Sequence, residues 1–161
     1  MHSDAQIIIF ARYPVPGQAK TRLIPALGPE GAALLHRRMT EHTTGVAREA
    51  CKTRAASDWG ITVCHTGARR HDFRAWLGKD LHYELQPSGD LGARLRHAFK
   101  TALRNGAEYA IAVGADVPGL TAAILKQALE SLRKYDIVLG RGWRILPHRD
   151  EVVPSGAVRR H

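Results

Sequence analysis

The sequence predicts an α/β domain of three layers, in which a mostly parallel sheet lies between helices. Three observations lead to this fold class. Apolar segments alternate with amphipathic segments through residues 6–140, as in chains built from strand–helix–strand units. Several strand candidates are apolar on both faces, which is typical of strands covered by helices on each side. The 161 residues are enough for one such core, and they contain no repeat or low-complexity linker.

The first half of the chain supplies two strands and one long helix. Residues 6–12, "QIIIFAR", predict a buried strand, and "WGITVCHTG" at 59–67 predicts a second. Between them, residues 28–51 predict a helix that begins near Pro29, since a first-turn proline has no N–H to leave unpaired. The expected inner face of this helix is Leu34, Leu35, Met39 and Val46, and the outer face is Arg37, Arg38 and Glu41.

The second half repeats the alternation. A short helix is expected near 71–78, a strand at 82–86 and an amphipathic helix at 90–105, with one apolar face. A fully apolar strand at 109–116 follows, then a helix at 120–135 with Thr121 as its N-cap. The last expected strand is 136–140, so the domain is placed at residues 1–140 and an irregular basic tail at 141–161.

Composition restricts the class of protein. Hydrophobic content of 44% and charged content of 24% suit a soluble domain, and no apolar run approaches the ~18 residues of a membrane span. Without a signal-like N-terminus, a cytoplasmic location is expected. The two cysteines and nine histidines show no metal-ligand spacing. The net charge of +9 includes +3 from the tail, and with 6% aromatics nucleic-acid binding is not favoured.

The loop after the first strand is the strongest candidate for a phosphate site. It places Arg12, Lys20 and Arg22 beyond a buried strand and before a helix, where ligands bind in such folds. Gly17 permits a positive φ there, and the guanidinium and ammonium groups suit a diphosphate or triphosphate. The loop is neither a P-loop nor a GxGxxG turn. The alternative is an ordinary exposed basic loop.

Two further loops carry carboxylates. Asp116 follows the strand at 109–116 between glycines, and one such carboxylate suits Mg²⁺ or Mn²⁺ bound mainly through substrate phosphates. A turn-capping aspartate is the alternative. Asp90 begins a helix, and N-capping explains it fully.

The chain resembles a known family in three ordered motifs. These are "FARYPVPGQAKTRLIPALGPEGAALLHRRMTEHT", "SGDLGARLRHAF" and "GADVPGLTAAILKQAL" with "DIVLG". They look like the GT-A-type glycosyltransferase-like proteins assigned to arsenosugar biosynthesis, relatives of the guanylyltransferases that act on molybdenum-cofactor and phospholactate precursors. The resemblance covers residues 7–140 and is most specific in the first motif. The family usually has Thr-Asp-Cys-Pro where this chain has Ala115 to Pro118, and the aspartate is kept.

The resemblance implies a Rossmann-like nucleotide-diphospho-sugar transferase (GT-A) sheet, a nucleotide-bound donor, a small-molecule acceptor and a divalent metal. It assigns Asp116 to the metal. Its nucleotide and donor residues are Arg12, Gly17, Lys20, Arg22, Asp90 and Gly92. The expected function is transfer from a nucleotide sugar. Nucleotidyl transfer to a small phosphorylated acceptor is the near alternative, followed by a non-catalytic nucleotide-binding remnant and then a polyanion-binding module.

The resemblance stops at Gly140. The family continues with a loop that reads roughly Pro-Ala-Glu-Asp-Gly-Gly-Tyr-Tyr-Leu-Ile-Gly, whereas this chain has "RGWRILPHR". Residues 142–149 can be encoded GGA TGG AGG ATA TTA CCT CAT AGG. Read one base later, with a G from the next codon, this spells Asp-Gly-Gly-Tyr-Tyr-Leu-Ile-Gly. The sequence therefore suggests a change of reading frame near Gly140, a sheet incomplete at its C-terminal end and the loss of a catalytic loop, with a native basic extension as the alternative.

Overall fold

Within the part of the chain that the structure describes, six strands form one sheet in the order β3-β2-β1-β4-β6-β5. The structure is a computed structural model that describes residues 4–52, 59–140 and 156–159. β1 pairs in parallel with β2 and β4, β2 pairs in parallel with β3, and β6 lies antiparallel between β4 and β5. The strands are β1 (Ala5–Arg12), β2 (Trp59–Thr66), β3 (His82–Leu85), β4 (Tyr109–Gly114), β5 (Ile137–Leu139) and β6 (Gly156–Arg159).

Four helices in these described ranges cover the sheet. They are α1 (Ile24–Cys51), α2 (Arg70–Leu77), α3 (Leu91–Arg104) and α4 (Ala122–Leu132), and a 3₁₀ turn at Thr21–Leu23 precedes α1. α1 is interrupted at Gly28, whose φ of 71° lies in the left-handed region, and Pro29 begins the continuous part of the helix. Thr121 caps α4 as expected, since its hydroxyl oxygen accepts a hydrogen bond from the Ile124 amide at 3.3 Å.

The core lies on both faces of β1. Ile7 and Ile9 face one cluster, which Phe73 of α2 and Leu125 of α4 complete, while Ile8 faces a second cluster under α3. All three isoleucines are at most 1% exposed, and burial of each stabilises the fold by about 1.5–3 kcal/mol. This two-sided burial explains the continuous apolar run in the sequence and confirms the three-layer α/β/α fold.

The predicted inner face of α1 is wrong at two positions. Leu34 is 50% exposed and Leu35 is 36% exposed, whereas Val46 is buried as expected. The buried face consists mainly of small residues: Ala32, Ala33, His36, Thr40, Thr43, Thr44, Val46, Ala47 and Ala50. Small side chains let a helix lie close to a sheet, and the hydroxyls of Thr40 and Thr44 donate to helix carbonyls one turn earlier, at 2.9 Å and 3.0 Å. Ranking positions by hydrophobicity alone therefore selected the neighbouring leucines.

The tail differs from expectation in four residues. Residues 141–161 were expected to be irregular, yet Gly156–Arg159 form β6, paired with β4 and with β5. Strand pairing uses backbone groups that every such segment carries, so it does not require the apolar face that the tail lacks. The rest of the tail lies outside the described residues.

Candidate functional site

The carboxyl ends of β1 and β4 border a crevice. The parallel register of these strands ends at Phe10 opposite Gly114, so β1 continues for two residues beyond its partner. The chain proceeds from β1 to β2 and β3 on one side and places β4 on the other. Ligands in open α/β sheets bind at such a change in strand order, and the loops after β1 and β4 both start here.

The first loop, residues 13–20, is held by its own backbone. The Val15 carbonyl accepts hydrogen bonds from the amides of Gln18 at 3.0 Å and Ala19 at 3.1 Å, and the Tyr13 amide donates to Thr66 of β2 at 2.9 Å. Gly17 has a φ of 80° and open space where a Cβ would lie. Position 17 therefore favours glycine because of the backbone conformation of the turn, and not because a neighbouring atom lies close.

Lys20 combines an unusual backbone with a long-range contact. Its φ of 47° and ψ of 48° are left-handed, and it is the one non-glycine residue with positive φ in the described part of the chain. This conformation costs about 1–2 kcal/mol for a residue with a side chain. It directs the ammonium across the crevice, where Nζ donates to Oδ2 of Asp116 at 3.2 Å. Strain of this kind is concentrated at functional sites.

Asp116 lies over the end of β4. A Cβ on Gly114 would lie 3.0 Å from its Oδ1, so the glycine at 114 leaves room for the carboxylate to fold back toward the strand. The side chain is 57% exposed and is therefore accessible from solvent. Its position opposite the first loop is the one expected from the sequence.

A buried histidine lies beneath the crevice. His36 of α1 is 9% exposed, and its Nε2 is 2.9 Å from the carbonyl oxygen of Arg12. Burial lowers the pKa of His36, and the nearby Lys20 acts in the same direction, while the hydrogen bond to Arg12 and the charge of Asp116 act against it. The imidazole is therefore neutral at pH 7 and, because a carbonyl only accepts, Nε2 carries the proton.

The loop after β3 is tied to the same edge by Gln86. Its amide nitrogen donates to the carbonyls of Cys64 at 2.7 Å and Ala11 at 3.3 Å. Its amide oxygen accepts from Arg94 of α3 at 3.1 Å. Asp90 accepts from the Ala93 amide at 2.7 Å and so caps α3, which is the structural role that its position alone predicted.

The structure brings part of the expected set together. Lys20 and Asp116 are in contact, and both lie close enough to His36, with Arg12, to affect its pKa. Arg22, Asp90 and Gly92 are exposed on neighbouring segments, and no hydrogen bond joins them to that cluster within the residues described. Sequence reasoning missed His36 and Gln86. A polar residue directly after a strand was a usable signal for Gln86, whereas His36 resembles any histidine on a helix.

A second concavity lies between the sheet and α3. A cavity of about 380 Å³ is lined by Gln6, Thr62, Cys64 and Asn105, among others. Burial and the nearby Glu84 raise the pKa of Cys64 to about 12, so its thiol is protonated and unreactive at neutral pH.

None of the helices in the described segments combines the length and apolar composition that a membrane span requires.

Several solved structures of other proteins have the same fold as this chain. A protein of Desulfovibrio desulfuricans G20 assigned as a nucleotide-diphospho-sugar transferase is 29% identical, with a TM-score of 0.74, over 85% of this chain. The match covers 58% of that protein, so this chain spans less than two thirds of its length.

Two more distant structures share the fold. The 4-diphosphocytidyl-2C-methyl-D-erythritol synthase of Anaerococcus prevotii is 14% identical, with a TM-score of 0.57, over 98% of this chain and 71% of that one. A nucleotidyl transferase of Methanothermobacter is 18% identical, with a TM-score of 0.52, over 78% and 56%. These likenesses confirm the nucleotide-diphospho-sugar transferase type of α/β fold.

Sequence comparison assigns the chain to a family. No curated protein matches it. One family model, described as "Uncharacterized protein conserved in bacteria (DUF2064)", matches residues 48–143, which is more than half of the chain and includes β2 to β5 with Asp90 and Asp116. The chain therefore belongs to the DUF2064 family of bacterial proteins.

Proposed function

We propose that this protein is a nucleotide-utilising transferase that binds the phosphates of its donor in the crevice between β1 and β4. The observation that carries the proposal is the strained Lys20, directed across the crevice to Asp116 at 3.2 Å. Arg12 adds a guanidinium at the end of β1. This arrangement pairs cations with an accessible carboxylate at the edge where such folds bind ligands, and the likeness to the Desulfovibrio protein agrees with it.

The residues present fit a divalent metal held largely by the substrate. Asp116 is exposed at a strand end, and the described residues contain no group of three or more potential metal ligands. Mg²⁺ and Mn²⁺ are commonly bound by one or two carboxylates together with substrate phosphates. When bound, such an ion would neutralise charge that develops on the leaving phosphates. Lys20 and Arg12 would orient the diphosphate and neutralise the same charge from the protein side.

The finer assignment is glycosyl transfer from a nucleotide sugar. In that reaction the bond from the sugar carbon to the diphosphate oxygen breaks, and the nucleoside diphosphate leaves with the electron pair. The acceptor oxygen forms the new bond and releases its proton. The resemblance to the arsenosugar group and the Desulfovibrio relative favour this reaction. The alternative is nucleotidyl transfer, in which an acceptor phosphate attacks the α-phosphorus of a nucleoside triphosphate and pyrophosphate leaves.

Product analysis with labelled nucleotides distinguishes the two reactions. The protein would be incubated with Mg²⁺, a mixture of small acceptors, and either α-labelled nucleoside triphosphates or nucleotide sugars. Release of nucleoside diphosphate from the sugars supports glycosyl transfer. Transfer of the α-label to an acceptor, with release of unlabelled pyrophosphate, supports nucleotidyl transfer. Nucleotide binding without either product supports a non-catalytic remnant, and absence of any nucleotide binding would refute the proposal.

We also infer that the reading frame changes near Gly140. The codons available for residues 142–149 permit the loop of the resembling family one base later, and Trp143, with its single codon, forces one of the glycines. The match to the DUF2064 model ends at residue 143. Ile137 and Leu139 of β5 are 63% and 67% exposed, consistent with a sheet face that a longer chain would cover. The missing loop would then carry the groups that complete catalysis.

Sequencing the gene from the codon of Leu139 onward tests the frame directly. We expect the shifted frame to read Asp-Gly-Gly-Tyr-Tyr-Leu-Ile-Gly and to stay open through further strand and helix patterns. An early stop, or an unrelated shifted sequence, would show that the basic tail is native. In the first case, activity should be measured in the repaired protein beside the present chain.

A further inference from the structure

His36 occupies a hydrogen-bond position that β4 leaves empty. Carbonyls two residues apart on a strand point to the same neighbour. The Phe10 carbonyl accepts from the Ala115 amide at 3.1 Å, on the β4 side, so the Arg12 carbonyl points to that side as well. By then the chain has left β4 at Gly114. The imidazole of His36 fills the gap, with Nε2 at 2.9 Å from the Arg12 oxygen.

The other ring nitrogen shows that this contact is not ordinary core packing. Nδ1 of His36 is buried, and no hydrogen-bond partner for it is found among the described residues. A buried polar atom without a partner destabilises the fold because it has lost its hydrogen bonds to water, and an apolar side chain of similar size would avoid that loss. Leucine or methionine at this position would therefore pack about as well as histidine. Its distinguishing contribution is the Nε2–H donor.

The contact acts on the residue where the candidate phosphate site begins. Arg12 is the last residue of β1, and its peptide leads directly into the first loop. Three charged groups from three different segments surround the ring closely enough to affect its pKa: Arg12 of β1, Lys20 of the first loop and Asp116 of the β4–α4 loop. The imidazole therefore lies below the point where these groups converge, but its Nε2 is already engaged and its burial keeps it from substrate.

We propose that His36 is a positioning residue, whose Nε2–H fixes the Arg12 carbonyl and thereby sets the Arg12 guanidinium and the first loop for the phosphates of the donor. The proposal rests on the proposed function, because it assigns His36 a role in that same phosphate site. His36 acts through Arg12 and does not take part in the chemistry.

The test compares two replacements of His36 with a matched control. His36→Met removes the donor and retains an apolar side chain of similar length. His36→Gln restores an N–H at a similar distance from the helix. The control is Thr43→Val, because Thr43 lies on the same helix, is 0% exposed and also carries a buried oxygen without a described partner. The probe is magnesium pyrophosphate, titrated calorimetrically, with Tm measured for every variant.

We expect His36→Met to keep the wild-type Tm or exceed it, and to bind pyrophosphate about 5- to 10-fold more weakly, as for a hydrogen bond whose loss misplaces a charged group. His36→Gln should stay within about threefold of wild type, and Thr43→Val should bind like wild type. Arg12→Ala keeps the Arg12 carbonyl and removes the guanidinium. In that background His36→Met should weaken binding by a smaller factor than it does in wild type, because only its effect on the first loop remains.

Each other outcome has a defined meaning. If His36→Met binds pyrophosphate as tightly as wild type does, the role of His36 is overturned and the proposed function is unaffected. Equal losses in the wild-type and Arg12→Ala backgrounds overturn the proposal that His36 sets the Arg12 guanidinium, because the effect would then not pass through that side chain. If wild-type protein binds neither pyrophosphate nor any nucleotide, the proposed function and this inference fail together. If His36→Met does not fold, His36→Asn, whose amide lies one carbon nearer the helix, takes its place.

Discussion

Replacing Asp116 by asparagine should change the affinity for pyrophosphate in opposite directions with and without Mg²⁺. In the structure the carboxylate of Asp116 already pairs with the ammonium of Lys20 at 3.2 Å. Without metal, an incoming phosphate must compete with that carboxylate for Lys20. With metal, the proposed role of Asp116 is that of a ligand, so the carboxylate would favour binding of the ion together with the phosphate.

The exposure of the pair sets the size of the metal-free effect. The Lys20 side chain is 18% exposed and that of Asp116 is 57% exposed, so water screens their attraction. Pairs of this kind contribute about 0.2–1 kcal/mol. Removing the competition should therefore tighten metal-free pyrophosphate binding about 1.4- to 5-fold, and the loss of a negative charge near the anion acts in the same direction.

With Mg²⁺ the sign should reverse. If Asp116 is the ligand that we propose, the variant would lose a carboxylate ligand. Even residues that only support a metal ligand contribute about 10–100-fold to affinity, so a loss of at least about tenfold is expected. Calorimetric titration of both proteins, with EDTA or with Mg²⁺, measures both arms. Glu130→Gln on the exposed face of α4 is the charge-matched control and should change neither. Metal-free binding by Asp116→Asn that is equal to or weaker than wild type would refute the competition between Asp116 and phosphate for Lys20.

Three other predictions concern stability. Lys20→Gly should keep or raise the free energy of unfolding, by up to about 1 kcal/mol, because glycine relieves the strain of the left-handed backbone. The same variant should lose pyrophosphate binding. A clearly lower free energy of unfolding in urea would contradict the strain. Asp90→Ala should lower the free energy of unfolding by about 1 kcal/mol because α3 loses its cap, and Thr121→Ala should do the same for α4. Both variants should bind pyrophosphate within about twofold of wild type. A large loss of binding in Asp90→Ala would instead support the assignment of Asp90 to the donor pocket. Burial lowers the pKa of His36 and His65 below the ordinary 6.5. Below pH 6.5 the unfolded chain therefore binds more protons than the folded chain. The free energy of unfolding should then be highest above pH 6.5 and should fall as the pH drops below it. Urea unfolding at pH 7.5 and pH 5 should show the decrease, His36→Met should reduce it, and equal or greater stability at pH 5 would contradict it.

The strands and helix caps were predictable because they depend on local or strictly periodic signals. The run at Ile7 to Ile9 is buried on both faces of a central strand, and the sequence shows that directly. Asp90 and Thr121 cap their helices with side chains that reach only three residues ahead. β6 was missed because its four residues are too few to show a periodic pattern, and its pairing with β4 joins segments more than 40 residues apart along the chain.

The candidate site was predictable in its location but not in its internal contacts. Lys20 and Asp116 both follow buried strands, and the carboxyl ends of parallel strands meet at one edge of the sheet. Their ion pair joins residues 96 positions apart, and the His36 contact to Arg12 uses a backbone carbonyl 24 positions away. Such contacts depend on where β4 ends relative to β1, a register that composition and periodicity do not encode.

Nucleotide binding by wild-type protein, Lys20→Ala and Lys79→Ala tests the central claim most directly. Lys79 is exposed and lies just before β3, at the opposite edge of the sheet, so its removal matches the charge change without touching the crevice. The titration would use nucleoside triphosphates and nucleotide sugars with Mg²⁺. We expect wild type and Lys79→Ala to bind alike, and Lys20→Ala to bind about tenfold more weakly or worse, as for a lost charged hydrogen bond of about 1.5–3 kcal/mol. Equal binding by all three proteins, or no binding by wild type, would contradict a nucleotide phosphate site between β1 and β4.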